Sequence, residues 1–245
     1  MAKKQRALLD RMADVYPEAE RERLMAAVVC GDIRVNGEKC RNPKARVPAD
    51  AVIEWVPRRP VGRGYDKLGT AIDAFAVDCR DKIIIDAGSS TGGFTQRLLA
   101  EDARRVYAVD VGNNQLAWQI RDDTRVVVME RTNILHLSRH DFPEPPDFSV
   151  CDLSFRSLRH AAAHIAGLTA QRRVIALAKP QFEGASGDTF DGVVDDADGK
   201  TLIDALVSHL EEEGLTCRGR VPSALRGRKG NLEYFLDLVK TGRKA

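Results

Sequence analysis

The sequence has no apolar run near the ~18 residues that cross a bilayer. Its opening stretch, MAKKQRALLDRMADVY, lacks the apolar core of a secretory signal, so export by that route is not expected. The five cysteines, Cys30, Cys40, Cys79, Cys151 and Cys217, are scattered, odd in number and form no C-x-x-C pair. That excludes a disulfide framework or a paired-cysteine zinc site and fits a reduced, cytoplasmic protein. No internal repeat and no low-complexity tract is present. Metal-binding spacing is also missing. His160 and His164 lie four apart, but the three alanines between them supply no acid. Asp188, Asp191, Asp195, Asp196 and Asp198 do not follow the order of an EF-hand loop, so no metal is expected.

What is present is a chain of 245 residues, 43% hydrophobic, enough for one large domain or a medium domain with a small one attached. The net charge of +2 is unevenly spread. Residues 1–60 carry +4 and residues 218–245 carry +6, while residues 61–217 carry −8. Basic ends on an acidic body point to a polyanionic partner, or to solvated faces with no partner at all.

The stretch that organises the chain is KIIIDAGSSTGGFT, residues 82–95. Ile83, Ile84 and Ile85 suit a strand buried on both faces. Gly88, Gly92 and Gly93 then make a glycine-rich turn, and Phe94, Leu98 and Leu99 recur at helical spacing. Ligands in open α/β sheets sit off the carboxyl ends of the strands, where this turn falls. No lysine lies between Gly88 and Thr95, which excludes a P-loop, and the dinucleotide pattern G-x-G-x-x-G is absent. Asp110 closes the next strand, RRVYAVD, where a carboxylate can accept hydrogen bonds from a ribose diol. Asp86 can face the ammonium of an amino-acid moiety. Together they suit S-adenosylmethionine better than a nucleotide phosphate. The alternative is a tight strand-to-helix turn with nothing bound.

The N-terminal region reads as a small module. Leu8, Leu9, Met12 and Val15 form one helical stripe, and Glu18 to Cys30 continues with Leu24, Met25, Val28 and Val29 until Gly31 stops it. Asn36-Gly37 in DIRVNGEKC is a hairpin signal, and AVIEWV, residues 51–56, is a further strand. Arg21, Arg23, Arg34, Lys39, Arg41, Lys44 and Arg46 surround these elements and could lay a basic face on an RNA backbone. The order of elements, with its R-V-N-G-E hairpin, resembles the S4-like RNA-binding domain, a module that reads RNA shape and backbone. The other reading is an α+β domain for dimerisation or stability. The expected division is residues 1–58 for this domain, a linker at 59–64 within PRRPVGRG, and residues 65–245 for a second domain.

In that second domain, Tyr65 to Val77 has helical spacing. Strands are expected at Val106–Asp110, Arg125–Met129, a fourth ending at Asp152, a fifth ending at Lys179, and two near 215–222 and 232–239. Helices are expected over Gln115–Arg121, with Trp118 on its apolar side, over 157–168, and over Thr201–Glu213. Residues 183–199 read as a mobile loop over the site. Asn133 and Ile134 fall just past the third strand, where an adenine could be held. Alternating strands and helices indicate a mostly parallel sheet covered on both faces. The basic loop with Arg226, Arg228 and Lys229, together with Arg63 before the first helix, adds further candidates for RNA contact.

Lys67, Asp152, Lys179 and Glu233 fall at strand ends or at the entrance to the domain, where packing rarely needs lysine or carboxylate. Together with DAGSSTGGFT, VYAVDVG, QLAW, ERTNI, DLSF, KPQFE and GNLEYF, they make residues 63–239 resemble the TlyA family of FtsJ-type ribose methyltransferases. The resemblance implies an α/β, Rossmann-like S-adenosylmethionine-dependent methyltransferase sheet behind the small α+β RNA-binding domain. It implies a ribosomal RNA 2′-O-methyltransferase, with cytidine as target and ribosomal RNA or ribosomal subunits as partner. It also implies a Lys-Asp-Lys-Glu catalytic tetrad at Lys67, Asp152, Lys179 and Glu233. The cofactor would lie on Asp86, Gly88, Ser90, Gly92, Gly93, Phe94, Asp110, Val111, Asn133 and Ile134. The family usually has Ser-Arg-Gly-Gly ahead of the first lysine. Here the run is Gly62-Arg63-Gly64-Tyr65, which bears on how Lys67 is placed.

A ribose 2′-hydroxyl is a weak nucleophile that must meet a sulfonium methyl in line, so positioning is expected to supply much of the rate. Lys179 is expected to accept the proton: burial and the nearby Lys67 favour its neutral form, while Asp152 and Glu233, which orient the two amines, favour the charged one, so the sequence leaves the balance open. Some family members are called hemolysins. The alternative function is therefore a catalytically silent RNA-binding or membrane-acting protein that retains the methyltransferase fold.

Overall fold

The computed structural model describes residues 5–56, 60–153, 157–159, 161–184 and 192–241, with Cys30 described by its backbone alone. The chain divides into two compact units, Met1–Arg59 and Pro60–Ala245.

In the first unit, β1 (Gln5–Ala7) leads into α1 (Leu8–Val15), α2 (Arg21–Cys30), β2 (Ile33–Val35), β3 (Glu38–Cys40), β4 (Arg46–Pro48) and β5 (Ile53–Trp55). β1 pairs with β4, and β2 lies between β3 and β5, all antiparallel. The β2–β3 turn forms as the Asn-Gly pair requires, with φ of 52° at Asn36 and 83° at Gly37. Asn36 also fastens the turn to the chain before β5, through Val52. Gly31 ends α2 in the left-handed conformation, φ 75°.

Leu8, Leu9, Met12, Leu24, Ala27, Val28 and Ile33 form the core of this unit. Val15, Met25 and Val29, expected on the same stripes, are exposed instead. With Leu24, Ala27 and Val28 turned inward, residues 25 and 29 fall on the opposite side of α2. β1 and β4, three residues each, are too short to leave an alternating pattern in the sequence.

The second unit carries a seven-stranded sheet. Its elements are α3 (Gly64–Ala74), β6 (Ile83–Ala87), α4 (Gly93–Ala100), β7 (Arg105–Val109), α5 (Trp118–Arg121), β8 (Val126–Met129), β9 (Phe148–Cys151), α6 (Ala161–Gly167), β10 (Arg173–Ala178), α7 (Asp196–Glu212), β11 (Leu215–Pro222) and β12 (Tyr234–Lys240). The strand order is β11-β12-β10-β9-β6-β7-β8. β8, β7, β6, β9 and β10 run parallel, while β12 is antiparallel to both neighbours. The order reverses direction at β6, which makes the end of β6 the switch point of the sheet.

Successive residues of β6 serve opposite faces. Ile83, Ile85 and Ala87 join the core under α6 and α7, and Ile84 joins the core under α3 and α4. The result is three layers with the glycine turn at the upper edge of the sheet. Two expectations need correction. Only Trp118–Arg121 of the stretch expected to be helical forms α5, and Trp118 is 75% exposed rather than packed. The backbone N–H groups of Asn114, Gln115 and Leu116 point at Glu130 instead. The stretch expected as a loop to residue 199 is already helical from Asp196, with Asp195 capping α7 through the N–H of Ala197. Residues 185–191 of that loop, His160, and Asp188 and Asp191 lie outside the described residues.

Candidate active site

At the end of β6 the chain turns through Gly88, φ +88°, whose N–H and that of Ser89 both bond Val109 O. A Cβ on Gly88 would stand 2.5 Å from Asp152 O, so only glycine lets β6 and the end of β9 approach this closely. Gly92, φ +95°, starts α4, and Phe94 is buried against Phe235 of β12.

Asp86 is fully buried. Its Oδ2 accepts a 2.6 Å hydrogen bond from Thr95 Oγ1, while Oδ1 is buried with no hydrogen-bond donor among the described residues. Burial pushes this carboxyl up to about 7 against the pull of Thr95, and the charges of Asp152 and Asp110 push the same way. Ser89 Oγ is a second buried polar atom without a partner among the described residues. Unsatisfied buried polar atoms at the switch point of a parallel sheet fit a polar, cationic ligand group.

Asp110 follows β7. Its Oδ2 accepts from Ser90 N at 2.8 Å and its Oδ1 from Gly112 N at 2.7 Å, which orients the carboxylate and leaves lone pairs for a diol. Val111 beside it is 72% exposed. Asn133 caps a short 3-10 turn by accepting from Leu135 N, and Ile134 is buried with its carbonyl bonded to His164 Nε2. That bond gives His164 a structural role; among the described residues no His/Cys/Asp/Glu group could hold a metal ion.

The four residues expected to carry chemistry form two ion pairs. Lys67 Nζ lies 2.5 Å from Glu233 Oε2, both buried. Lys179 Nζ lies 2.6 Å from Asp152 Oδ1 and donates to Leu153 O at 3.1 Å. Side-chain alternation explains the convergence. Val150, Leu177 and Phe235 all join the core under α3 and α4. Asp152, Lys179 and Glu233 stand two residues farther along, at the same edge and with the same parity. Asp86 follows Ile84 in the same way, and Lys67 comes from α3 on that face. Because β12 is antiparallel and Tyr234 opposes Ala178, its beginning, not its end, meets the carboxyl edge.

α3 itself is seated on the turn. A Cβ on Gly93 would lie 3.0 Å from Gly64 Cα, and Val61 N donates to Gln96 Oε1 at 2.8 Å. Tyr65 puts its ring under the Arg97 guanidinium, 5.4 Å to the centroid, along the seam between α3 and α4. The tyrosine that replaces the family's glycine thus braces the helix that carries Lys67.

Three residues beyond the expected set shape this edge. Thr95 satisfies half of Asp86. Glu130, from ERTNI, accepts from Arg121 and from the N–H groups of Asn114, Gln115 and Leu116, with its carboxyl held down at about 2, chiefly by Arg121. Glu183, from KPQFE, is buried against residues 157 and 158. The motifs flagged both glutamates without showing what they bind.

The basic candidates lie on the surface, several of them paired. Arg63 donates to Arg226 O, and Arg226 pairs with Asp196 through two nitrogens at 2.9 and 2.7 Å. Arg228 and Lys229 are exposed. In the first unit Arg21 lies 3.3 Å from Asp10, and Arg23 stands over the ring of Trp55. Arg34 and Lys39 face each other across the β2–β3 pair, and they, Arg41 and Lys44 are exposed.

A sheet of this order with a glycine turn at its switch point has the architecture of the α/β methyltransferases. The chain belongs to the FtsJ-like methyltransferase family, whose model matches residues 60–240. It is 40% identical over 226 residues to YqxC of Bacillus subtilis strain 168, a candidate rRNA methyltransferase, covering 89% of this chain and 80% of that protein. It is 38% identical over 224 residues to the 16S/23S rRNA (cytidine-2′-O)-methyltransferase TlyA of Mycobacterium tuberculosis H37Rv, covering 89% of this chain and 84% of that protein. Among solved structures, a candidate hemolysin from Streptococcus thermophilus superposes with a TM-score of 0.71 at 31% identity, covering 99% of this chain and 90% of that one.

Proposed function

We propose that this chain uses S-adenosylmethionine to methylate the ribose 2′-hydroxyl of cytidine in ribosomal RNA, acting in the cytoplasm. The observation that carries this reading is the pair of lysine–carboxylate contacts at one edge of the sheet, beside the turn that presents Asp86. The first unit, with Arg34, Lys39, Arg41 and Lys44 exposed, would serve as the S4-like RNA-binding domain, and Arg63, Arg228 and Lys229 would add backbone contacts.

S-adenosylmethionine supplies an electrophilic methyl on a sulfonium centre. Asp86 would face its ammonium group, Asp110 would accept from the ribose diol, and Val111, Asn133 and Ile134 would border the adenine. Lys179 holds the target hydroxyl. Lys179 Nζ donates to Leu153 O and lies 2.6 Å from Asp152 Oδ1, which places its nitrogen to accept the 2′-hydroxyl proton. Bound at this edge, the cofactor would supply the methyl group to O2′ and leave as the neutral thioether, while Lys179 would take up the 2′-hydroxyl proton and pass it to water. Lys67, paired with Glu233, stabilises negative charge developing on O2′.

The test is methyl incorporation from labelled S-adenosylmethionine into isolated ribosomal subunits, with mapping of the modified sugar. The expected product is 2′-O-methylcytidine, absent with Lys179→Ala, while cofactor affinity of that variant stays within about twofold. Incorporation into a base, or none by the unaltered protein into either subunit, would overturn the reading in favour of a silent RNA-binding or membrane-acting protein.

A further inference from the structure

Glu183 is 1% exposed, and neither the cofactor turn nor the two ion pairs use it. Its carboxylate accepts from Ser157 Oγ at 2.5 Å and from Leu158 N at 3.0 Å. Its own carbonyl accepts from the Arg159 guanidinium at 3.4 Å, and Arg159 N donates to Ser157 Oγ. Residues 157–159 are thereby pinned to residue 183. Four residues before Glu183, Lys179 grips Asp152 and the carbonyl of Leu153. The segment leaving β9 is therefore fastened twice to the segment leaving β10, once through Lys179 and once through Glu183.

A carboxyl in this place needs a reason. Burial disfavours its charge and raises it above the usual range, with Ser157, Leu158, Arg159 and His209 pulling the other way. An apolar side chain would pack there at less cost. What glutamate supplies is two acceptors, at the right reach, for donors on the chain that has just delivered Asp152.

We propose that Glu183 is a positioning residue for methyl transfer: by holding Ser157 and Leu158 it fastens the chain beyond β9 to the segment that carries Lys179, and so helps set Asp152 and Leu153 O against Lys179 Nζ. This rests on the function proposed above. Loss of the anchor leaves in place the hydrogen bonds that orient the cofactor turn, from Thr95 to Asp86, from Gly88 to Val109 O, and from Ser90 N and Gly112 N to Asp110, since none involves residue 183. It loosens Asp152 and Leu153 O, the two groups that hold the Lys179 amine. A misplacement of about 1 Å at a reacting group costs about 100-fold in rate.

The experiment compares Glu183→Ala, Glu183→Gln and Ser157→Ala in the full chain, reading kcat, KM for ribosomal subunits, cofactor Kd and amide exchange. Glu183→Ala is expected to lower kcat about 100-fold while cofactor Kd and KM stay within about threefold. Glu183→Gln keeps one acceptor for Leu158 N, and its amide can donate to a rotated Ser157 hydroxyl, so it should recover at least about tenfold of that loss. Ser157→Ala should fall between. Faster exchange at Asp152 and Leu153 in Glu183→Ala is expected whether or not an RNA substrate is at hand. Full kcat in Glu183→Ala overturns the proposal. So does a parallel loss of cofactor binding in Glu183→Ala and Glu183→Gln, which marks a purely structural role. Inactivity of the unaltered protein, with the exchange difference present, sinks the assigned function and leaves the anchoring in place.

Discussion

Lys67 and Glu233, 166 positions apart in the chain, meet as a buried ion pair with 2.5 Å between Nζ and Oε2. One comes from a helix ahead of the first strand of the sheet, the other from the entry to its antiparallel strand. The contact costs desolvation on both sides, and removing one partner strands the other's charge. We expect Lys67→Ala to lower the unfolding free energy by about 3 kcal/mol, and a Lys67→Met/Glu233→Leu double variant to recover most of that loss. Neither should transfer methyl groups. Denaturant titration with activity assays checks this; wild-type stability in Lys67→Ala would show that the pair is solvated.

Asp86 gives a pH dependence with a definite sign. Its folded value, about 7, lies above the ordinary 3.8, so charge on this carboxyl costs stability. That cost is absent below about pH 4, grows as pH rises, and is complete above about pH 7. A cationic group facing Asp86 reverses the preference, so binding below pH 7 should expel a proton. We expect S-adenosylmethionine affinity to rise between about pH 5 and pH 7, and Asp86→Asn to bind weakly with no such slope. Calorimetry in buffers of different ionisation enthalpy reads the proton directly. A flat profile for the unaltered protein would reject the assignment.

Glu130 behaves oppositely. Arg121 and three backbone N–H groups hold its carboxyl at about 2, below the ordinary 4.5. The stability it contributes is present above about pH 4.5 and lost as pH falls toward 2. Glu130→Ala should free residues 112–116 and, through Gly112 and Asp110, weaken cofactor binding about tenfold, or ~1.4 kcal/mol. Proteolysis within that loop, with and without cofactor, gives a second reading. Unchanged affinity would confine Glu130 to loop stability.

The sheet was legible where the sequence signal is local. The run Ile83–Ile85, buried on both faces, and the Asn36-Gly37 turn each declare themselves within a few residues. What sequence could not show depends on distant partners. Residues 114–116 are held out of a helix by Glu130, about fifteen residues away in the chain, and Trp118 consequently stands in solvent. Met25 and Val29 read as core because apolar character alone does not say which side of a short helix faces inward. The tetrad positions could be named from motifs. The pairing of Lys67 with Glu233 depends on the antiparallel register of β12, and that of Lys179 with Asp152 on the parallel register of β9 and β10.

That register also sets a timetable. The glycine turn, β7 and the loop after it form from contacts between near neighbours in the chain, whereas closure of β12 onto β10 brings together residues some sixty apart, Arg173 with Val239 and Ala178 with Tyr234. Distant contacts pay more loop entropy and tend to form late. Glu233 therefore reaches Lys67 only when the final strand has paired, and the edge that carries both lysines is completed last.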